Sequence, residues 1–311
     1  MQFFKILLDK LFFALQWPIA KSALLSKVYL STCGFCLRMM GNNYVTTRLI
    51  NHIAKNSWPD LVFSQRTVSL CDGAVVNIIP HVGEFDFRAL FSKSLSYETY
   101  LFSWLFNKMK NFDAIIEIGA NVGVFSVFFS RYGNGIPVYC FEPSKQAFVR
   151  LYANLQANAN NSVNPINSAV SDSSGFVSFF EPEGHLTNGS LDKAFASIFS
   201  PNVRASVVPT VCGSDVFALV ENANALLLKI DVEGAEPRVL RSLEKLITQK
   251  LPVIIIEVLD SVVEDLNRLE FIAQNYQLYL VTDRGLIQKV LFEANPHYRD
   301  FCLLPNGSAL A

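Results

Sequence analysis

Asp231, Glu233 and Glu236 fall within six residues of one another, directly after the apolar run Leu226 to Ile230, and Glu117, Glu142 and Glu257 stand at or near the ends of three further apolar runs. Open parallel sheets present such positions to ligands. A carboxylate placed there can accept hydrogen bonds from sugar hydroxyls, receive an ammonium group, or take a proton from an acceptor hydroxyl. Helix capping is the plain structural alternative for the cluster: Asp231 or Glu233 as cap, Glu236 and Pro237 in the first turn. A cap needs one acid, and three stand here. Asp231, Glu233 and Glu257 are therefore the expected catalytic acids, with His185 in the loop 181–190 as a further candidate base; no single base is singled out. The same oxygens would suit a divalent ion, but no spacing dictates one, and no metal is expected.

The elements that must position these groups read as a repeated strand-turn-helix unit. Ala114 to Ile118 is rich in β-branched residues, Gly119 to Asn121 supply a turn, and Val122 to Tyr132 continue as an apolar helix. A second strand, Val138 to Phe141, ends on Glu142 and Pro143, where a carboxylate can accept from both ribose hydroxyls of an adenosine lying over the first turn. A dinucleotide fingerprint begun at Gly119 would need glycines at 121 and 124, yet Asn121 and Val124 stand there. A side chain at 121 obstructs close approach of backbone to a pyrophosphate. A phosphate-free cofactor such as S-adenosylmethionine needs no such approach, and Glu117 can help receive its ammonium group. Strands are expected near 114–118, 138–142, 166–170, 226–230, 253–258, 277–282 and 286–291, and helices near 122–132, 144–158, 235–249 and 261–275. The short turn Thr282-Asp283-Arg284-Gly285 makes the last two strands an antiparallel pair.

With IEIGANVG at 116–123, FEP at 141–143, KIDVEGAE at 229–236 and PVIIIEV at 252–258, in that order, the sequence resembles the FkbM-type S-adenosylmethionine-dependent methyltransferases over roughly residues 95 to 291. The family's first motif usually carries Asp where this chain has Glu117. Glu98 matches an acid the family usually has near the start of the domain. The resemblance implies an α/β fold of the class I methyltransferase (Rossmann-like) type, a seven-stranded mostly parallel sheet with helices on both faces and an antiparallel last strand. The expected cofactor-binding set is Glu98, Glu117, Gly119, Ala120, Asn121, Gly123, Glu142, Pro143, Ser168 and Asp231.

Composition bounds the reading. The chain has 311 residues, 51% hydrophobic and 17% charged, enough to bury a large core, and its 26 basic and 27 acidic residues leave a net charge of −1. With no basic stripe interleaved with aromatics, a nucleic-acid substrate is disfavoured. Six scattered cysteines suggest a reducing, cytoplasmic setting rather than a disulfide framework. The C-x-x-C at Cys33 to Cys36 lacks the second pair or histidine doublet a zinc site needs.

Residues 1–43 read as an amphipathic helical segment, 44–94 as an extension with short strands and an Asp72-Gly73 turn, and 95–311 as the methyltransferase domain. Asp9, Lys10, Lys21, Lys27 and Arg38 interrupt the N-terminal apolar stretch below the roughly 20 residues a membrane span needs, and also break a signal-peptide pattern. The segment suits either an internal packing or dimer helix, the favoured reading, or a helix lying in the membrane plane. The expected activity is O-methylation of a small-molecule or sugar hydroxyl. The alternatives are a nucleotide-sugar or NAD-dependent oxidoreductase, and a non-catalytic cofactor-binding or membrane-scaffold protein.

Overall fold

The computed structural model describes residues 16, 19–41, 43–54, 58–82, 84–159, 161–184 and 188–310. His185 and the first fifteen residues of the expected amphipathic helix lie outside the described residues. Two compact units divide the chain, Met1–Tyr97 and Glu98–Ala311.

In the first unit, Ser22 caps the helix Ala23–Met40 by accepting from the Leu25 N–H, and a second helix spans Tyr44–Ala54. Strands β1 (Arg66–Cys71) and β2 (Ala74–Ile78) form a hairpin across Asp72-Gly73, where Gly73 takes the left-handed backbone the turn requires. Leu30, Leu37, Ile50, Ile53, Trp58, Phe63, Phe87 and Phe91 form a buried core. The Arg38 guanidinium donates to the carbonyls of Ala89, Ser92 and Thr67. Cys33 and Cys36, on the first helix, are free thiols, as are the other four cysteines.

In the second unit, the strands are β3 (Ala114–Ile118), β4 (Val138–Phe141), β5 (Val163–Ile166), β6 (Ala169–Val170), β7 (Gly175–Pro182), β8 (Val203–Val211), β9 (Leu226–Ile230), β10 (Val253–Glu257), β11 (Tyr276–Thr282), β12 (Gly285–Lys289) and β13 (Asp300–Pro305). The main sheet has the order β12-β11-β13-β10-β9-β3-β4-β5, with β5, β4, β3, β9 and β10 mutually parallel. This is the doubly wound α/β arrangement that the sequence resemblance implies. The expected antiparallel pair forms between β11 and β12, but a further antiparallel strand follows it in the chain. It is β13, inserted between β10 and β11, whereas Gly285–Lys289 only extends the edge as an eighth strand. Pairing with β11 through a short turn is a local event legible in sequence; insertion of β13 is a long-range pairing with no local signature. The expected strand at 166–170 also divides, since β5 closes the main sheet and β6 joins β7 and β8 in a separate three-stranded sheet.

Period-two alternation separates the faces of the main sheet. Ile116, Ile118, Leu228, Ile230, Ile254 and Ile256 pack with Val216, Val239, Leu240, Ile247 and Leu266 from the helices Gly213–Leu219, Glu236–Ser242, Glu244–Lys250 and Val263–Asn267, and with Leu243 at the junction of the middle two. The opposite face meets the helix Val124–Tyr132, whose Phe125 stacks on Phe102 of the helix Thr99–Lys108.

Candidate active site

Glu117 pairs in register with Lys229, and Lys229 with Ile255; Glu257 pairs with Asp300 across β10 and β13. Register and pleat therefore collect Glu117, Lys229, Asp231, Glu257 and Asp300 on one face, at the carboxyl ends of the parallel strands. Lys229 is 2% exposed, its Nζ lies 3.0 Å from Asp231 Oδ2, and it sits 4.3 Å from the centroid of the Phe125 ring. Burial disfavours its charge, but Asp231, Glu98, Glu117 and Asp300 together outweigh that and raise the ammonium pKa above the usual lysine value. Glu98 initiates the helix Thr99–Lys108 in a left-handed conformation, and its charge reaches both Lys229 and Glu257.

Glu117 is fully buried and accepts a 2.6 Å hydrogen bond from Ser126 Oγ. Burial pushes its pKa up to about 8 against the pull of Lys229 and Ser126. Its charge partner is thus internal, a role the sequence reading did not assign.

The turn after β3 is defined by one close approach. Gly119 has φ +86°, and a Cβ there would stand 1.6 Å from the carbonyl oxygen of Asp231. Four of the turn's backbone donors are used internally: Gly119 and Ala120 N–H on the Phe141 carbonyl, Gly123 N–H on Ala120, and Asn121 N–H on Glu142 Oε2 at 2.8 Å. That leaves fewer N–H groups for a pyrophosphate than an open glycine-rich turn offers.

Glu142 also accepts from the Ser144 N–H through Oε1 at 2.7 Å. Each oxygen of this buried carboxylate holds one backbone donor and keeps acceptor capacity for another. Burial pushes its pKa up to about 7, opposed by those two N–H groups. Asn167 Nδ2 holds the carbonyls of Glu142 and Pro143, and Ser168 N–H donates to Ile166 beside them.

The acids after β9 divide their work. The helix begins at Glu236 with Ala235 as its cap residue, so neither Asp231 nor Glu233 caps it. Glu236, fully buried, accepts from the N–H groups of Val232 and Gly234 and ties the loop together. Glu233 adopts φ 54°, and Gly234 φ 96°. Carboxylate oxygens of Asp231, Glu233 and Glu257 all lie within 4.8 Å of one another, a spacing that a shared proton or a cation could bridge. Burial, then Asp231, pushes Glu233 up to about 8; burial, then Asp231 and Glu233, pushes Glu257 up to about 10, with Arg299 Nη1 3.6 Å from Glu257. Burial likewise pushes Asp300 up to about 7. One buried ammonium cannot hold this many carboxylates ionised together.

Several neighbours were not legible in the sequence. Ser144 Oγ donates to Glu181 of β7 at 2.6 Å, Ser190 Oγ donates to the Glu233 carbonyl at 2.7 Å, and Phe195 lies against Gly234. The segment between β5 and β9 thus forms a wall beside the acids. Lys229 carried a signal, a charge inside an apolar strand, whereas Asp300 carried none because β13 was not recognised.

Residues 117–299, more than half of the chain, match the family described as the methyltransferase FkbM domain. The hexuronic acid methyltransferase AglP of Haloferax volcanii is 28% identical over 146 residues, 47% of this chain and 56% of AglP, so the match spans just over half of that relative. The 31-O-demethyl-FK506 methyltransferase FkbM of Streptomyces tacrolimicus is 28% identical over 222 residues, 62% of this chain and 82% of that protein. Among solved structures, the methyltransferase FkbM of Methylobacillus flagellatus KT aligns at 13% identity and a TM-score of 0.41, over 61% of this chain and 43% of that one.

Proposed function

The chain belongs to the FkbM methyltransferase family, and from that membership we propose that it moves the methyl group of S-adenosylmethionine to a hydroxyl oxygen of a saccharide or another small molecule. The observation that carries the proposal is the convergence of Asp231, Glu233 and Glu257 within 4.8 Å, beside a turn four of whose N–H groups are already used internally. The first feature suits a reaction that must take up a hydroxyl proton. The second suits a cofactor without phosphates and disfavours a dehydrogenase. Two relatives, named as a hexuronic acid methyltransferase and a 31-O-demethyl-FK506 methyltransferase, support the acceptor class.

The residues fit such a cofactor. Glu142, its oxygens oriented by Asn121 and Ser144, would accept from the ribose hydroxyls. Asp231, one oxygen of which is held by Lys229, would face the amino-acid end together with Glu98 and Glu117. When bound, the cofactor supplies an electrophilic methyl carbon on positively charged sulfur. The chain's part is to align the acceptor and receive its proton. Glu233 and Glu257, with raised pKa values, are the candidates to hold that proton, and the wall carrying Ser190 and Phe195 would exclude water.

The test is to incubate the purified chain with methyl-labelled S-adenosylmethionine and a panel of uronic acids, neutral saccharides and hydroxylated small molecules. S-adenosylhomocysteine release and the position of the label would be followed by mass spectrometry and NMR. Label on oxygen is the expected result. Label on nitrogen or carbon, or cofactor binding with no transfer to any hydroxyl, overturns the proposal.

A further inference from the structure

The helix Ala23–Met40 is apolar on two opposite faces. Leu30 and Leu37 on one face join the buried core of the first unit. On the other face Leu24 is 73% exposed, Val28 59%, Phe35 70% and Met39 71%, at spacings of four, seven and four residues that set them in one stripe. Tyr44 and Val45, at the start of the next helix, are exposed as well. A helix that has already packed its inward face ordinarily turns polar residues outward, and exposed apolar side chains on one side of it, here divided at mid-helix by Ser31 and Thr32, mark an interaction surface.

Charge identifies the partner. From Lys10 to Pro59 the sequence holds no Asp or Glu, while Lys10, Lys21, Lys27, Arg38, Arg48 and Lys55 are basic, in a chain whose acids otherwise slightly outnumber its bases. Arg38 is committed to backbone carbonyls, but Lys27, next to Val28 in the sequence, and Arg48, on the following helix, are exposed. A second copy would bring the same face against itself, setting like charges together with no acid on that stretch to neutralise them. An anionic headgroup layer neutralises them and lets the apolar stripe enter the acyl boundary. No described helix is long and apolar enough to cross a membrane, so contact would be in the plane.

We propose that the outward face of the helix Ala23–Met40, with the exposed bases Lys27 and Arg48, docks on the surface of an anionic lipid bilayer. The experiment uses the full chain, pelleted with vesicles of phosphatidylcholine alone and of phosphatidylcholine with about one quarter phosphatidylserine. At about 0.1 M salt, binding to the anionic vesicles is expected to exceed binding to the neutral ones by about tenfold or more and to fall as salt is raised. Phe35→Ser with Met39→Ser, both on the solvent side, should lower anionic-vesicle binding by about tenfold, since both side chains would lose their burial in the acyl boundary. Lys27→Glu with Arg48→Glu should remove the preference for anionic over neutral vesicles. Unchanged thermal melts would show that both variants fold. Failure of the wild type to pellet, equal binding to both vesicle types, or full binding by the Phe35/Met39 variant each overturns the proposal. Concentration-dependent dimerisation abolished by that variant, without vesicle binding, assigns the face to a second copy and overturns it too.

Discussion

Lys229 Nζ lies 3.0 Å from Asp231 Oδ2, a cation inside β9 and an anion just past its end, and the lysine is almost wholly enclosed by the sheet and Phe125. The ammonium orients one oxygen of Asp231 and leaves the other to the site. It is also the internal countercharge for Glu117 in the register position beside it. The anionic edge of the sheet therefore depends on a residue that need not touch a substrate.

Lys229→Met should lower folding stability by about 3–5 kcal/mol, because breaking a buried ion pair strands its partner charges. Above pH 8, where Glu117 is ionised, adding Glu117→Gln should restore part of the loss, since one buried carboxylate is then absent. Urea unfolding of the four members of this cycle checks the coupling. Additive losses would show that Lys229 and Glu117 do not act as a pair.

Gly119→Ala should abolish cofactor binding and destabilise the junction of β3 and β9. The new Cβ would fall 1.6 Å from the Asp231 carbonyl, and the Asp231 N–H bond to Ile118 would have to open. Gly135→Ala is the control, since it shares a positive φ, +83°, but meets open space. That change should cost only about 1–2 kcal/mol of backbone strain. Equal stability and equal binding in the two variants would refute the account of the turn.

Glu142→Ala should weaken S-adenosylmethionine and S-adenosylhomocysteine by at least about tenfold, the factor given by ~1.4 kcal/mol. Glu142→Gln should be no milder, because both native oxygens accept backbone N–H groups and an amide would set its own NH₂ against one of them. Calorimetric titration with both ligands and with NAD reads the effect. Tight NAD binding by the wild type would contradict a turn with four of its N–H groups used internally.

Stability of the ligand-free chain should fall as pH rises from about 5 to 8. Glu117, held up at about 8, and Glu142 and Glu236, at about 7, lie above the ordinary glutamate value, chiefly through burial. Between those limits the folded chain keeps protons that the unfolded chain has released, so raising pH favours unfolding. Melting temperatures measured across this range in a non-binding buffer check the sign, and a flat or rising profile would contradict it. If Glu233, raised to about 8, takes the acceptor proton, turnover should rise through that pH and lose this limb in Glu233→Gln.

The elements that build the first turn were legible in the sequence because their signals are local. Ala114 to Ile118 is apolar and β-branched, Gly119 permits the turn, and Glu142 follows the next strand at the distance one crossover helix requires. The same holds for the Asp72-Gly73 and Thr282 to Gly285 turns. The acids at 231–236 were visible as a cluster, but their roles were not, since type and spacing alone do not say which one folds back. Glu236 does so, onto the N–H groups of Val232 and Gly234, and this releases Asp231 and Glu233 from capping.

The tertiary structure alone decided what meets across strands. Alternation assigns Glu117, Lys229 and Glu257 to faces of their own strands, but only the parallel register of β3, β9 and β10 makes those faces the same one. Asp300 reached the cluster through the insertion of β13 between β10 and β11, a pairing of segments distant in the chain. Glu181 and Ser190 arrived likewise with the three-stranded sheet. Local propensity fixes how each segment bends and which side it buries; register and long-range pairing, set by burial of the whole sheet, determine which charges share a space.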